Sequence, residues 1–301
     1  MTNRVLLTGS TGFLGSQLGH SLRAGGWEVL PLARRHAQTT EPEAAVTPGR
    51  LLADKPDGRS PGTGTVLVHL AGVSGRFDCT PETCLEAVEF GRRAITAAAG
   101  AGADTAILVS SIYATLAEKG AATAYGEHKL EVERVFVSEF TGRIVILRLP
   151  PVYGGDTDRS SIVRLASIVR HGWPLPLGLA RAPRDYLALE NFLELVGTLL
   201  ERDISTGAGE RVVAYEPCDG KAVSTAQLVR ILGEVVGRPA RLLPVPEPAL
   251  RVVAAAVGKA DLLQAAFAPL LAQGNERLTE RWGWKPSMTM PASLQYLRDR
   301  S

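Results

Sequence analysis

Apolar residues follow two different spacings along the first half of the chain. Short apolar runs such as Val5-Leu6-Leu7 indicate buried strands, because strands covered on both faces are almost continuously apolar. Between these runs apolar residues recur every three or four positions, as in Leu14, Leu18 and Leu22, which indicates helices. The predicted strands are Arg4–Thr8, Glu28–Leu32, Thr65–Leu70, Thr105–Ser110 and Arg143–Leu149, and the predicted helices include Glu82–Ala99 and Ala124–Phe140.

Regular alternation of strands and helices predicts an α/β fold, a doubly wound parallel sheet with helices on both faces. A further strand is expected near 50–53, after a loop rich in Pro and Thr. Past Leu149 prolines and glycines interrupt the pattern, which indicates a smaller C-terminal lobe. The apolar stretch 250–271 contains Lys259 and Asp261, so we expect two packed helices there and no membrane span.

The first predicted strand runs directly into a glycine-rich turn, Thr8-Gly9-Ser10-Thr11-Gly12-Phe13-Leu14-Gly15, and then into a helix. Gly9 permits a tight turn, Gly12 lets the backbone approach a pyrophosphate, and Gly15 lets helix and strand pack closely. This strand, turn and helix together predict a dinucleotide site. Its expected cofactor-binding residues are Gly9, Thr11, Gly12, Phe13, Leu14 and Gly15.

Three polar residues further along the chain suggest proton-transfer chemistry. Tyr125 and Lys129 are four positions apart on a predicted helix, so their side chains share a face. A phenol has a pKa of about 10, and a neighbouring ammonium favours its ionised form. Ser111 follows the apolar run of the fourth predicted strand, and ligands of open α/β sheets bind at the carboxyl ends of the strands. We therefore expect Ser111, Tyr125 and Lys129 to be catalytic, with Lys129 also contacting the cofactor.

These motifs, taken together, resemble the extended short-chain dehydrogenase/reductase superfamily, in particular its NAD-dependent nucleotide-sugar epimerase/dehydratase family. The resemblance covers nearly the whole chain. The motifs that carry it are TGSTGFLG at 8–15, HLAG at 69–72, VSSIYA at 109–114, YGEHK at 125–129, LRLPPVYG at 147–154, GWPLPLG at 172–178, RDYL at 184–187 and RWGWKPSM at 281–288.

The resemblance implies a Rossmann-like NAD(P)-binding domain formed by 1–152 and about 184–215, and a substrate-binding lobe formed by about 153–183 and 216–301. It also implies that Leu70, Ala71, Gly72 and Pro150 line the cofactor and that Asp54 bonds its adenine. Ser111, Tyr125, Tyr153 and Arg184 would bind the substrate, with Arg184 holding the diphosphate of a nucleotide sugar.

The end of the second predicted strand bears on the choice of cofactor. Enzymes that prefer NAD usually carry an acidic residue there, which bonds the ribose hydroxyls. This chain has Arg34 and Arg35 instead, and a guanidinium can hold a 2′-phosphate with two hydrogen bonds. We therefore expect NADP(H) to be preferred, with NAD(H) possible.

The expected activity is hydride transfer at a sugar hydroxyl or keto carbon, by a 4-epimerase or a 4-ketoreductase. A non-catalytic NAD(P)-sensing regulator on the same fold and a reductase of a non-sugar carbonyl compound are the alternatives. Only 13 residues, Ile112–Ala124, separate Ser111 from Tyr125. So short a segment predicts an open sugar pocket that accepts a large, acylated or deoxygenated sugar.

Composition excludes several functional classes. The 301 residues are 45% hydrophobic and 21% charged with a net charge of +2, which predicts no binding to nucleic acid or membranes. No histidine cluster has metal-ligand spacing, so we expect no metal. Three cysteines in total and no signal-peptide pattern at the start favour reduced thiols and a cytoplasmic protein. A homodimer is possible.

Overall fold

The computed structural model describes residues 4–33, 64–73, 79–121, 123–155, 160–202, 210–256, 258 and 260–298. Its strands are β1 (Arg4–Thr8), β2 (Glu28–Leu32), β3 (Thr65–His69), β4 (Thr105–Ser111), β5 (Arg143–Leu149), β6 (Val152–Tyr153), β7 (Pro183–Arg184), β8 (Leu187–Ala188), β9 (Val212–Tyr215) and β10 (Val223–Ser224). The strands and helices predicted from the apolar pattern are confirmed, with ends that differ by one residue at most. The strand expected near 50–53 lies outside the described residues.

Helices separate most of these strands, and one 3₁₀ turn (Gln295–Leu297) lies near the C-terminus. The helices are α1 (Phe13–Ala24), α2 (Pro81–Gly100), α3 (Ile112–Glu118), α4 (Ala124–Glu139), α5 (Ser161–Arg170), α6 (Leu189–Glu201), α7 (Thr225–Val235), α8 (Glu247–Ala256), α9 (Ala260–Phe267), α10 (Glu276–Trp282) and α11 (Met290–Ser293). The two helices expected within 250–271 correspond to α8 and α9. Among the described residues no helix is long and apolar enough to cross a membrane.

The chain forms two compact units. The first comprises 1–149, 193–216 and 277–284, and the second comprises 150–192, 217–276 and 285–301. Relative to the ranges expected from sequence, the unit that contains the sheet lacks 150–152 and 184–192 and includes 216 and 277–284. The assignment of cofactor and substrate binding to the two units stays a prediction.

The first unit contains a parallel sheet of six strands in the order β2-β1-β3-β4-β5-β9. This confirms the expected α/β class. β3, β4 and the last six residues of β5 are buried, because helices cover both faces of a parallel sheet. α2 and α4 pack against the sheet through side chains that include Val88, Ile95, Val132 and Phe136.

The second unit has two small sheets of two strands each. β6 pairs in parallel with β8, and β7 pairs antiparallel with β10. Its core consists mainly of side chains from α5, α7 and the chain's end, among them Ile162, Leu228, Leu232 and Leu294. Strands this short supply few backbone hydrogen bonds, so side-chain packing and side-chain hydrogen bonds carry more of the stability.

Candidate functional site

The glycine turn between β1 and α1 has the geometry that a dinucleotide cradle needs. Gly9 adopts a φ of +69°, a backbone conformation that residues with a side chain rarely adopt. A Cβ at Gly9 would lie 2.9 Å from the backbone nitrogen of Ala71, and a Cβ at Gly15 would overlap the carbonyl oxygen of Gly9. Side chains are therefore excluded at both positions, and β1, α1 and the end of β3 come close together.

Gly12 is the N-cap residue of α1, and no side chain caps the helix. The first backbone N–H groups of a helix carry a partial positive charge, so the start of α1 suits an anion. Thr11 and Gly12 come directly before the helix, and Phe13 and Leu14 are its first two residues. These residues fit the pyrophosphate of a dinucleotide, as the sequence predicts.

Thr8 connects the glycine turn to the end of β3, a role that the sequence analysis missed. Its hydroxyl oxygen accepts hydrogen bonds from the backbone N–H groups of Leu70 and Ala71, each at 3.1 Å, and lies 3.0 Å from Nδ1 of His69. Thr8 is fully buried. These hydrogen bonds hold Leu70 and Ala71 beside Gly9. The signal available in the sequence was a hydroxyl residue at the end of an otherwise apolar strand.

The three predicted catalytic residues lie on neighbouring elements of the first unit. Ser111 is the last residue of β4 and also the N-cap of α3, where its Oγ accepts a hydrogen bond from Tyr113 N at 3.4 Å. Tyr125 and Lys129 lie on the first turns of α4, and Nζ of Lys129 is 5.6 Å from the centre of the Tyr125 ring. The shared face predicted from their spacing is thus present.

Close packing of α3 against α4 brings Tyr125 against Tyr113, two residues after Ser111. A Cβ at Gly126 would overlap the carbonyl oxygen of Tyr113, so glycine at this position permits the approach. The rings of Tyr113 and Tyr125 then meet edge to face, with 5.9 Å between their centres. Gly126 and Tyr113 are positioning residues that sequence reasoning did not identify.

Lys129 reaches from α4 to the predicted cofactor edge. Its Nζ lies 3.1 Å from the place that a Cβ at Gly72 would occupy, just beyond β3. Lys129 is only 9% exposed, so its ammonium is held at this edge and does not extend into solvent. The glycine turn, the end of β3 and the Tyr125–Lys129 pair therefore form one connected region.

The second unit holds the two other residues predicted to bind substrate. Tyr153 is fully buried, and its hydroxyl donates to Oδ2 of Asp219 at 2.7 Å. Burial raises the pKa of Tyr153 above its usual value, and the neighbouring Asp219 carboxylate raises it further. Arg184 is also buried, and its Nη1 donates to the carbonyl oxygen of Ala268 at 2.7 Å. Their contact with substrate stays a prediction.

The remaining predicted cofactor residues are Pro150, Arg34, Arg35 and Asp54. Pro150 directly follows β5, where Leu149 pairs with Ser111 across the sheet. Arg34, Arg35 and Asp54 lie outside the described residues.

The comparison with known protein families agrees with this arrangement. A sequence model described as the NAD dependent epimerase/dehydratase family matches residues 5–214. The chain belongs to this family. It is therefore an NAD(P)-dependent enzyme of the short-chain dehydrogenase/reductase type, as expected from its motifs.

Two proteins and one solved structure show how far the similarity extends along the chain. The chain is 27% identical to a UDP-glucose 4-epimerase of Vibrio cholerae, in an alignment covering 96% of this chain and 93% of that protein. It is 32% identical to a ceramide reductase of Caulobacter vibrioides, over 54% of this chain and 51% of that protein. The structure of a Thermus thermophilus UDP-glucose 4-epimerase with NAD has a TM-score of 0.68 at 19% identity, covering 99% of this chain and all of that one. That last likeness shows the shared fold.

Proposed function

We propose that the protein transfers hydride at a hydroxyl or keto carbon of a nucleotide-linked sugar, with a UDP-hexose as the first substrate to test. The observation that carries this proposal is the placement of Lys129 between the predicted cofactor edge and Tyr125. The relative aligned with nearly the whole chain is named a UDP-glucose 4-epimerase, which supports reaction at the sugar C4.

In this proposal Tyr125 exchanges a proton with the reacting sugar oxygen. Ser111 keeps a hydroxyl proton while its oxygen accepts from Tyr113 N, so it can donate a hydrogen bond to the same oxygen. Lys129 supplies a positive charge close to the phenol and orients the cofactor ribose. The nicotinamide ring, when bound, supplies the hydride acceptor or donor.

We further propose that Arg34 and Arg35 favour NADP(H). The support is the sequence alone, because a guanidinium holds a phosphate with paired charge-assisted hydrogen bonds that an uncharged ribose hydroxyl does not offer. NAD(H) remains the alternative cofactor, and the Thermus relative was solved with NAD.

We also propose that the sugar pocket is open. Most of the short segment between Ser111 and Tyr125 forms α3, at 112–118. Both carboxylate oxygens of Glu118 on this helix accept hydrogen bonds from Arg148, so we do not expect Glu118 to bind the sugar. We expect a panel of nucleotide sugars to show tolerance of acylated or deoxygenated hexoses. Strict discrimination at every hydroxyl in favour of one plain hexose would contradict an open pocket.

The direct test incubates the purified protein with UDP-glucose and added cofactor and follows UDP-galactose by chromatography. Mass spectrometry of the denatured protein identifies the cofactor that copurifies. Retained cofactor and interconversion of the two sugars support an epimerase, whereas stoichiometric consumption of added NADPH by a keto sugar supports a ketoreductase. Failure of every nucleotide sugar in both assays would refute the proposed substrate class.

A second candidate function is reduction of a non-sugar carbonyl compound. The specific observation in its favour is the 32% identity to a ceramide reductase, higher than the identity to the epimerase although over half the length. A 3-ketoceramide offered with NADPH tests it. Turnover of that ketone without turnover of any nucleotide sugar would favour this second function.

A further inference from the structure

Arg148 is a buried arginine whose whole guanidinium is engaged. Its Nε and Nη2 donate to Glu133, with Nη2 to Oε2 at 2.6 Å, and its Nη1 and Nη2 donate to Glu118 at 2.6 and 2.7 Å. Nη1 also donates to Oγ1 of Thr115 at 3.1 Å. Arginine has five N–H donors in a rigid plane, and this pattern uses every one of its three nitrogens. We call Arg148, Glu118, Glu133, Thr115 and Ser110 the Arg148 cluster.

The partners of Arg148 lie next to the three catalytic residues. Glu133 follows Tyr125 by eight positions and Lys129 by four, so all three share one face of α4. The hydroxyl of Ser110, the residue before Ser111, donates to Glu133. Ser110 is therefore one residue from Ser111, and Glu133 and Thr115 are each one helical turn from Lys129 and Ser111, respectively.

The same cluster also fixes α3, the helix that Ser111 caps. Thr115 and Glu118 lie on α3, and the hydroxyl of Thr115 donates to the buried carboxylate of Glu216, just after β9. Arg148 thus joins β5, α3 and α4, and through Glu133 it also joins β4.

The charges of this cluster argue against a role in stability alone. Arg148 is 7% exposed and Glu133 is 3% exposed, so both charges have lost most of their hydration. Replacing a buried ion pair by apolar residues of similar volume is often neutral or stabilising. An arginine instead fixes the relative orientation of its partners, because the guanidinium is rigid and planar and both carboxylates and the Thr115 hydroxyl must align with its N–H groups.

We propose that Arg148 is a positioning residue for catalysis, which fixes the end of β4 that carries Ser111 against the face of α4 that carries Tyr125 and Lys129. This inference rests on the proposed function, since it assigns Arg148 to the site where that reaction occurs. Loss of the cluster should displace Ser111, Tyr125 and Lys129 relative to one another. Small displacements of reacting groups lower catalytic rates strongly.

The decisive variant replaces the ion pair by apolar side chains, as Arg148→Met with Glu133→Leu. We expect its urea midpoint to fall only modestly, because the buried pair is removed as a whole although Glu118 loses its cation, while kcat falls by about 10- to 100-fold. KM for the nucleotide sugar and the Kd of the cofactor should change much less than kcat, because the glycine turn and Arg184, which are expected to supply further binding contacts, are left unchanged. A kcat within about twofold of the wild type in the folded double variant would overturn the proposal.

Two further variants keep the test informative. Glu118→Gln removes one arm of the cluster at a side chain that is 46% exposed, so it should fold even if the double variant does not, and kcat should still fall several-fold. The matched control is Arg92→Gln, which breaks an exposed ion pair between α2 and the end of α4, Arg92 to Glu139 at 2.8 Å. The control should leave kcat unchanged. Equal effects of Glu118→Gln and Arg92→Gln on kcat would contradict a specific positioning role.

A readout without substrate separates failure of this inference from failure of the proposed function. The chain has six tyrosines, and the ¹³Cζ signal of Tyr125 is assigned by its loss in Tyr125→Phe. We expect this signal to shift or broaden in the Arg148 cluster variants and to stay unchanged in Arg92→Gln. If the signal stays unchanged in all variants, Arg148 does not position Tyr125. If it moves but the wild type turns over no nucleotide sugar, the proposed substrate is wrong and the positioning role stands.

Discussion

Both compact units bury carboxylates, but each compensates for the burial differently. In the first unit Arg148 pairs with the buried Glu133 and also with Glu118, whose side chain is 46% exposed. In the second unit Asp219 accepts hydrogen bonds from three neutral donors in the described part of the chain, the Tyr153 hydroxyl, the Ala188 backbone N–H and the Asn191 side-chain amide, at 2.7 to 2.8 Å. We call Asp219, Tyr153, Ala188 and Asn191 the Asp219 cluster.

The two environments move carboxyl pKa values in opposite directions. Hydrogen bonds from Arg148 lower the pKa of Glu118, against the effect of its partial burial. Burial raises the pKa of Asp219, and the three hydrogen bonds only reduce that effect. In the first unit a cation therefore favours the charged form of Glu118. In the second unit the surroundings of Asp219 favour its protonated form relative to the unfolded chain.

We interpret the Arg148 cluster as part of the proposed reaction site and the Asp219 cluster as a structural feature of the second unit. The Asp219 cluster joins β6, β8 and α6, and Asn191 also bonds the backbone of Ser287 and Met288. These contacts replace the backbone hydrogen bonds that two-residue strands cannot supply. We therefore expect changes near the Arg148 cluster to alter rates and changes in the Asp219 cluster to alter stability.

The largest expected effect is on turnover by the first unit. Tyr125→Phe removes the hydroxyl that we propose exchanges the proton and should lower kcat by about 10²- to 10⁴-fold, because general acid–base groups contribute that much. Cofactor binding should change little, since the glycine turn and Lys129 remain. Single-turnover absorbance of the reduced nicotinamide measures the rate of hydride transfer, and calorimetry measures cofactor binding. Turnover within a few-fold of the wild type would remove Tyr125 from the mechanism.

A second large effect concerns the stability of the second unit. Asp219→Ala takes the carboxylate acceptor away from the Tyr153 hydroxyl and the Ala188 backbone N–H, and each unsatisfied buried polar group costs about 1–3 kcal/mol. We expect the free energy of unfolding in urea to fall by about 2–4 kcal/mol. Asp219→Asn keeps one acceptor oxygen and should lose less. Equal stability of Asp219→Ala and the wild type would show that the cluster is not structural.

A smaller effect is expected on cofactor selection. Arg34→Ala should weaken NADPH binding by about 10- to 150-fold, which corresponds to about 1.5–3 kcal/mol for a lost charge-assisted contact. NADH binding should change much less. Calorimetry with both cofactors measures the difference, and equal losses would show that Arg34 does not select the 2′-phosphate.

The smallest effect is a pH dependence of stability. Because the pKa of Glu118 is lowered in the folded protein, its ionised form stabilises the fold above the unfolded pKa, and that contribution disappears as pH falls through the folded value. Glu118→Gln should therefore be less stable than the wild type at neutral pH, and the two urea midpoints should converge at acidic pH. A difference that is constant with pH would contradict an ionic contribution.

The same two units show how far sequence reasoning extends. Most of the first unit was predictable, because five of the six strands of its sheet are separate apolar runs, and because the turn at 8–15 and the pair Tyr125 and Lys129 have fixed local spacings. Its sixth strand, β9, was missed. In the second unit the helices α8 and α9 were predicted, but the two-residue strands leave no periodic pattern. Hydrogen bonds such as Tyr153 to Asp219 join residues 66 positions apart.

Within the site the same distinction applies. Gly9, Gly15, Ser111, Tyr125 and Lys129 could be located by local motifs. Thr8, Gly126 and the Arg148 cluster could not, because their roles depend on which elements pack together. An arginine at the end of an apolar strand was visible in the sequence, but its partners Glu118 and Glu133 lie 30 and 15 positions away.

The most direct test of hydride transfer at the sugar C4 uses UDP-glucose labelled with deuterium at that carbon. We expect the purified protein to form UDP-galactose that keeps the deuterium at C4, at a rate slower than with unlabelled substrate, and Tyr125→Phe to form almost none. Absence of labelled product and of labelled reduced cofactor, with the wild-type protein folded and loaded with cofactor, would contradict hydride transfer at C4 of this substrate.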